Sequence, residues 1–329
     1  METILVGTPI PHKLGSENLT FPDGVSIEKI QNIQWDGSFL NQIMPGMDVN
    51  AISRWPVWLT VSKDVERDHN APPDYEKAQR AMSALQIIRP FGCKNVYMGF
   101  RKNQEGWTHL NYGFHPSEMK CPDIACMAYY DVEGIKKDFE KVYRGVSRAF
   151  DEKITRLENP IVLLELGLQA NHIYLSTLMW VMALDMLFMA EKKIPFVERL
   201  TGFLGVDTLI FPPLFECEFQ ADLTVGSIAT DLFQFRSIVA HGKLIPKKFL
   251  AQRELKKTNP ECSVHGEDLY QYSYSQILSA SALYLLVRSL RKIMVEDLID
   301  VVGDDKKWRQ KLKAGATRYN SSLVTRSSK

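Results

Sequence analysis

The sequence predicts an α+β protein in two parts: a mixed α+β domain over residues 1–122, then an all-helical bundle over 131–313. A tail over 314–329, rich in Ser, Thr and basic residues, is expected to be disordered. Three observations carry this reading. Trp107–Phe114 sets Thr108, Leu110, Tyr112 and Phe114 against Trp107, His109, Asn111 and Gly113, the period of two that marks a half-buried strand. From Val132 onward apolar side chains recur instead at steps of three and four (Val132, Ile135, Phe139, Val142, Val146, Ala149), which aligns them on one helix face. Near Asp131 the composition shifts from Pro, Gly, aromatic and β-branched residues to long periodic runs.

In the first part, strand-like runs at Thr3–Val6, Ser26–Trp35 and Val57–Val61 are separated by turn formers such as Pro22-Asp23-Gly24 and Asp36-Gly37. Asp68–Asp74 reads as loop. Tyr75 to about Ile88 reads as a helix capped by Asp74, whose carboxylate can accept an otherwise unbonded amide of the first turn. Asn95–Phe100 and Trp107–Phe114, joined by the polar Arg101–Gly106, read as a β-hairpin. Nothing in this part specifies a reaction.

In the second part a first helix is expected over Val132–Leu157, with Asp131 as its cap. Asn159-Pro160 is a start signal, because a first turn leaves unbonded the amide that proline lacks. A second helix is therefore expected from Pro160 to about Lys193, bent at Gly167 and apolar nearly all round after Asn171, as at the centre of a bundle. Ile173–Ala190 approaches the length of a membrane span, yet Asp185, Ser176 and Thr177 interrupt it. A carboxylate is costly in a bilayer, so a buried helix is expected and no membrane association. Shorter helices follow at Phe196–Leu204 and Ser227–Ala240, then a basic loop over Lys243–Gly266 and a long helix over Tyr270–Val295. Asp297–Lys313 adds a further turn or two.

The totals bound the function. With 40 basic against 39 acidic side chains the formal charge is +1, which argues against a protein that coats nucleic acid over its whole surface. Five irregularly spaced cysteines do not suit a disulfide scaffold, and no signal peptide is visible at the N-terminus, so a cytoplasmic location is expected. His109, His115, Cys121 and Cys126 lack the close pairing of zinc ligands, and Cys262 with His265 has no second pair, so no metal site is expected. No glycine-rich phosphate loop or nucleophile elbow occurs, and no cofactor is expected.

The chemistry concentrates in Asp231–Gly242, DLFQFRSIVAHG. Arg236 offers a permanently charged fork for phosphate oxygens, and His241 a group that moves protons near neutral pH. On an unbroken helix five steps turn a side chain by about 140° and lift it roughly 7.5 Å, so the two would not share a ligand. Gly242 suits a left-handed helix end, which puts His241 in the last turn, where the helix dipole favours imidazolium. Spacing alone favours the plainer reading, a surface arginine and a histidine meeting the last carbonyls.

FRSIVAHG resembles the signature of the HEPN superfamily, an Arg and a His with four to six residues between them in an all-helical domain, and its Arg-Ser and His-Gly pairs resemble the ApeA-like branch. Met182–Lys193, MALDMLFMAEKK, resembles the upstream helix of that family, and Ala282–Met294, ALYLLVRSLRKIM, its closing helix. The likeness covers about 171–295. Ser237 stands where many catalytic members carry Asn or Asp, and Asp185 where a glutamate is usual.

The resemblance implies a metal-independent endoribonuclease of a toxin or antiviral-defence system. Arg236 would hold the phosphate and His241 shuttle the proton. Ser237 would bond the phosphate or orient Arg236, and Asp185 would support Arg236 from behind. It also implies a homodimer, with two copies of the motif in one cleft, and the first part as a sensor answering a trigger or an antitoxin. The alternative is a non-catalytic HEPN module binding RNA, nucleotide or a protein partner. Lys243, Lys247, Lys248, Arg253, Lys256 and Lys257, offset between them only by Glu254, gather positive charge beside the motif, and Lys243, Lys247, Lys248 and Arg253 are candidate RNA contacts. A solvated basic loop reads equally well.

Overall fold

The computed structural model describes residues 2–9, 18–29, 33–34, 57–65, 74–88, 90, 93–94, 97–102, 107–114, 118–119, 132–190, 192–210, 219–220, 223–257 and 269–327. The chain divides into two units, one of 1–86, 92–119 and 129–143, the other of 87–91, 120–128 and 144–329. The described residues make an α+β protein that is mostly helical.

In the first unit lie β1 (Glu2–Pro9), β2 (Leu19–Thr20), β3 (Val25–Lys29), β4 (Ile33–Gln34) and β5 (Val57–Val65), followed by helix α1 (Tyr75–Ile88), whose last two residues are assigned to the other unit. Then come β6 (Cys93–Lys94), β7 (Tyr97–Lys102), β8 (Trp107–Phe114) and β9 (Glu118–Met119). Seven strands form one sheet in the order β2-β3-β5-β1-β7-β8-β4. The expected hairpin is β7–β8, with Tyr97 opposite Phe114, Lys102 opposite Trp107, and a register shift between Met98 and Phe100. Ser26–Trp35 is not one strand: β3 pairs antiparallel with β5, whereas β4 pairs parallel with β8 at the other edge. β-Propensity marks residues that fit a pleated surface and says nothing of which neighbour they find. Val25, Ile27, Trp58, Leu59, Val61 and Phe100 are buried, with Trp58 edge-on to Phe100 at 5.5 Å. Asp74 caps α1 by accepting the Lys77 amide at 3.0 Å.

Helix α2 (Val132–Asp151) was expected to open the bundle, yet 132–143 belongs with the sheet, where Phe139 meets Phe21 at 4.2 Å. It also stops earlier than the spacing implies. Lys153 adopts φ +52°, and the Ile154 amide reaches back to the Ala149 carbonyl at 2.9 Å, closing the helix with a lysine where glycine is usual. With no glycine there, the sequence carries no stop signal. Helix α3 (Thr155–Gln169) then runs through Asn159 and Pro160, so those residues do not start it.

The second unit continues with α4 (Ile173–Phe188), α5 (Lys193–Leu204), β10 (Phe219–Gln220), α6 (Val225–Ala240), α7 (Lys247–Leu250), β11 (Gln252–Lys257) and β12 (Leu269–Ser273). Helices α8 (Tyr274–Val295), α9 (Ile299–Gly303) and α10 (Asp305–Ser327) complete it. The expected bent helix is two helices, α3 and α4. His172 caps α4 by accepting the Tyr174 amide at Nδ1, 3.2 Å away, and is itself exposed. Gly167 is no bend either. It is buried against the Trp180 indole, whose N–H donates to the Leu164 carbonyl at 3.3 Å. Packing of α4 against α3, α6 and α8 puts this apolar helix at the centre, as expected. Each fully buried Leu or Phe contributes about 1.5–3 kcal/mol there. Among the described residues no single helix is long and apolar enough to cross a membrane; α4 and α5 reach that length only together, across a 79° bend.

Two stretches read as irregular contain regular structure. The described part of the basic stretch, 243–257, holds α7 and β11, which pairs antiparallel with β12, with Gln252 opposite Ser273, so a strand stands where the last long helix was expected to begin. The tail is helical as far as Ser327, as part of α10. Its polar composition hides why: the helix is anchored upstream. Trp308 is fully buried and donates to the Leu187 carbonyl at 2.6 Å. Gly315 lies backbone to backbone against Gly202 of α5, an approach that no side chain would permit.

Candidate functional site: a cationic cleft around Arg236 and Asp185

Helix α6 is held from both ends. At its start Thr224 and Ser227 form a reciprocal capping box. At its end Gly242 takes φ +60°, and the Lys243 amide returns to the Ile238 carbonyl at 3.0 Å. Ile228, Leu232 and Phe235 are buried, which leaves Arg236 on the flank facing α4.

There Arg236 meets Asp185. Its Nη2 lies 2.9 Å from Oδ2, with the two side chains 29% and 10% exposed. The contact is an ion pair by distance, but the donor is not aligned on the acceptor. Among the described residues both carboxylate oxygens and Arg236 Nε are buried without a hydrogen bond. Burial pushes the Asp185 carboxyl up to about 7, and the Arg236 charge pulls it partly back. The Arg236 guanidinium also stands 5.5 Å from the Phe233 ring centre.

The pair lines a cleft of about 640 Å³ whose other cations are Arg156, Lys192, Arg199 and Arg309. Two of these have structural partners. Arg156 donates to the Met186 carbonyl at 3.0 Å and pairs with Asp305. Arg199 donates to the Phe188 carbonyl at 2.9 Å and to that of Met189. Together they satisfy the last carbonyls of α4, which Met189 ends in the left-handed region at φ +52°. Burial, and then repulsion from Arg309, pull Arg199 below its ordinary value. Among the described residues Lys192 and Arg309 have no ion pair.

The motif's other members lie elsewhere. His241 is the exposed residue that ends α6; its amide bonds the Ser237 carbonyl at 3.2 Å. Its imidazole makes no hydrogen bond among the described residues and does not line the cleft. Ser237 is half-buried and also off the cleft. The basic residues after the motif split in two. Lys248 bonds Asp231 at 3.0 Å and Gln234 at 2.9 Å, over the Phe249 ring, and Arg253 lies 4.0 Å from the Tyr274 ring centre. Lys243 and Lys247 are exposed. His115, Cys121, Cys126, Cys262 and His265 fall outside the described residues.

Sequence reasoning missed Arg156, Lys192, Arg199 and Arg309. No spacing could have found them, because they come from α3, the α4–α5 turn, α5 and α10 and meet only through the packing. The arrangement can hold an anion: five cations face one carboxylate, in a recess with Met186, Met189 and Pro195 for an apolar lining. No protein-family model matches the chain, and no curated protein or solved structure matches it.

Proposed function

We propose that the second unit is a metal-independent endoribonuclease of the HEPN type, cytoplasmic, acting in a toxin or antiviral-defence setting, with its active site composed across a homodimer. The carrying observation is that the motif arginine lies 2.9 Å from a buried carboxylate at a cationic cleft, while the helix bearing it ends five residues on in an exposed histidine. Such placement suits a phosphate anchor with a proton carrier on the same helix, to be brought to the anchor of a second copy.

In that reading the ribose 2′-hydroxyl attacks the adjacent phosphorus and the 5′-oxygen leaves, giving a cyclic phosphate and a free 5′-hydroxyl. The step needs a base for the attacking oxygen, an acid for the leaving one, and positive charge for the phosphorane. One chain supplies one His241, and a two-fold axis would supply the second. Leu244, 95% exposed, and the half-buried Ile238 and Val239 support a contact between copies at this end of α6. The first unit would sense a trigger or bind an antitoxin.

A second reading has its own support. Within one chain His241 does not line the cleft that holds Arg236, which suits a HEPN module that binds RNA, nucleotide or a protein without cutting. Single-stranded RNA incubated in EDTA separates the two. The enzyme reading expects cleavage by the native chain and none by Arg236→Ala or His241→Ala. Equal cleavage by all three would remove the site assignment, and dependence on added metal would remove the mechanism.

A further inference from the structure

The cleft contains a contradiction that packing does not resolve. Asp185 is nine-tenths buried and lines the cleft, yet neither of its oxygens is hydrogen-bonded among the described residues. A buried carboxylate with such poor satisfaction is costly. Across the same recess Lys192 and Arg309 have no ion pair among the described residues, and Arg199 is close enough to Arg309 to be repelled by it. Cations are therefore crowded on one side without an anion, while the one carboxylate contacts the motif arginine imperfectly.

We infer that the cleft is a site for a compact group of adjacent phosphates, held by Arg199, Arg309, Lys192 and Arg236, in which Asp185 is the built-in competitor for Arg236. The incoming anion takes the Arg236 guanidinium, and the carboxylate left behind takes a proton from solvent. No covalent bond changes; one proton moves from water to Asp185.

Three features support the exchange. The recess, at about 640 Å³, has the volume of a small-ligand site and greatly exceeds a single phosphate. A guanidinium prefers a phosphate that accepts two parallel hydrogen bonds over a carboxylate that accepts none in line. Asp185 already sits near the edge of protonation, because burial raises it and only Arg236 opposes that. The other ionisable groups of the cleft are arginines and one lysine, with Arg156 neutralised by Asp305, so Asp185 is the lining group that can change its charge near neutral pH.

This rests on the proposed function only in that both use Arg236, and His241 separates them. His241→Ala removes RNA cleavage under the proposed function but lies off the cleft and leaves anion binding intact.

The test is calorimetric titration of the full chain with inorganic pyrophosphate at pH 8, in buffers of different ionisation enthalpy. The native chain and His241→Ala are expected to bind alike. The double variant Arg309→Ala with Lys192→Ala, both exposed and away from the core, is expected to bind at least about tenfold more weakly. The Asp185→Asn variant is expected to bind as tightly or more so. Relative to it, the native chain takes up as much as about one additional proton per site. Absence of binding, or equal binding by the double variant, overturns the site. Equal proton uptake by Asp185→Asn overturns the competition. Displacement of pyrophosphate by an unphosphorylated oligoribonucleotide identifies the strand backbone as the source of the phosphates. Displacement by a nucleoside triphosphate identifies a small molecule, and displacement by neither overturns the site.

Discussion

Asp185 Oδ2 lies 2.9 Å from Arg236 Nη2 in a place where the carboxyl is pushed up to about 7. A carboxyl raised above its unfolded value means that the native chain binds the proton more tightly than the unfolded one. The stability it contributes is present in full below about pH 4 and is lost as pH rises toward 7. Urea unfolding across this window is expected to show the native chain losing up to a few kcal/mol that Asp185→Asn keeps. Parallel curves for the two chains would show that the carboxyl is not strained. Arg236→Ala removes the cation that lowers it, so a carbon-13 titration of Asp185 in that variant should move further upward.

The four candidate RNA contacts should not behave alike. Lys243 and Lys247 project into solvent, whereas Lys248 is occupied by Asp231 and Gln234, and Arg253 by Tyr274. Under the proposed function, Lys243→Ala and Lys247→Ala should raise KM for RNA a few-fold each with kcat unchanged, more so at low salt. Lys248→Ala should leave KM alone and cost about 0.5–1 kcal/mol of stability. The reverse pattern in steady-state kinetics would move the RNA path to another face.

Leu244 exposes 95% of its surface next to the helix end that carries His241. If copies meet there, Leu244→Glu places two like charges across the axis, and sedimentation should return a monomer whose thermal midpoint is unchanged. RNA cleavage should fall with the dimer. A monomeric but fully active variant would end the composite-site reading.

Gly167 lies where a methyl group would enter the Trp180 indole. Gly167→Ala should therefore cost about 1–3 kcal/mol, despite alanine's better helix propensity. A stabilised variant, by thermal melt, would show that the α3–α4 contact yields.

These residues also show what could be read in advance. The β7–β8 hairpin follows from its period of two, and the burial of α4 from a run that is apolar all round, because both signals are local. The end of α2 at Lys153 and the close packing at Gly167 escape the sequence, because a left-handed lysine and a glycine chosen for close approach leave no pattern of their own. The motif pointed to Arg236, and family likeness to Asp185 as its support. Nothing local joined them to Arg199 or Arg309, since cleft walls from separate helices are a product of packing.

Composition suggests that the end of the chain is expendable. Yet α10 carries Arg309 beside the buried Trp308, and its Gly315 locks onto α5 at Gly202. A nonsense codon or a protease cut just after Asp304 would thus erase a wall of the cleft and uncover the Leu187 carbonyl that Trp308 satisfies. An unbroken α10 is thus a condition for an intact cleft, although it shares no residue with the motif.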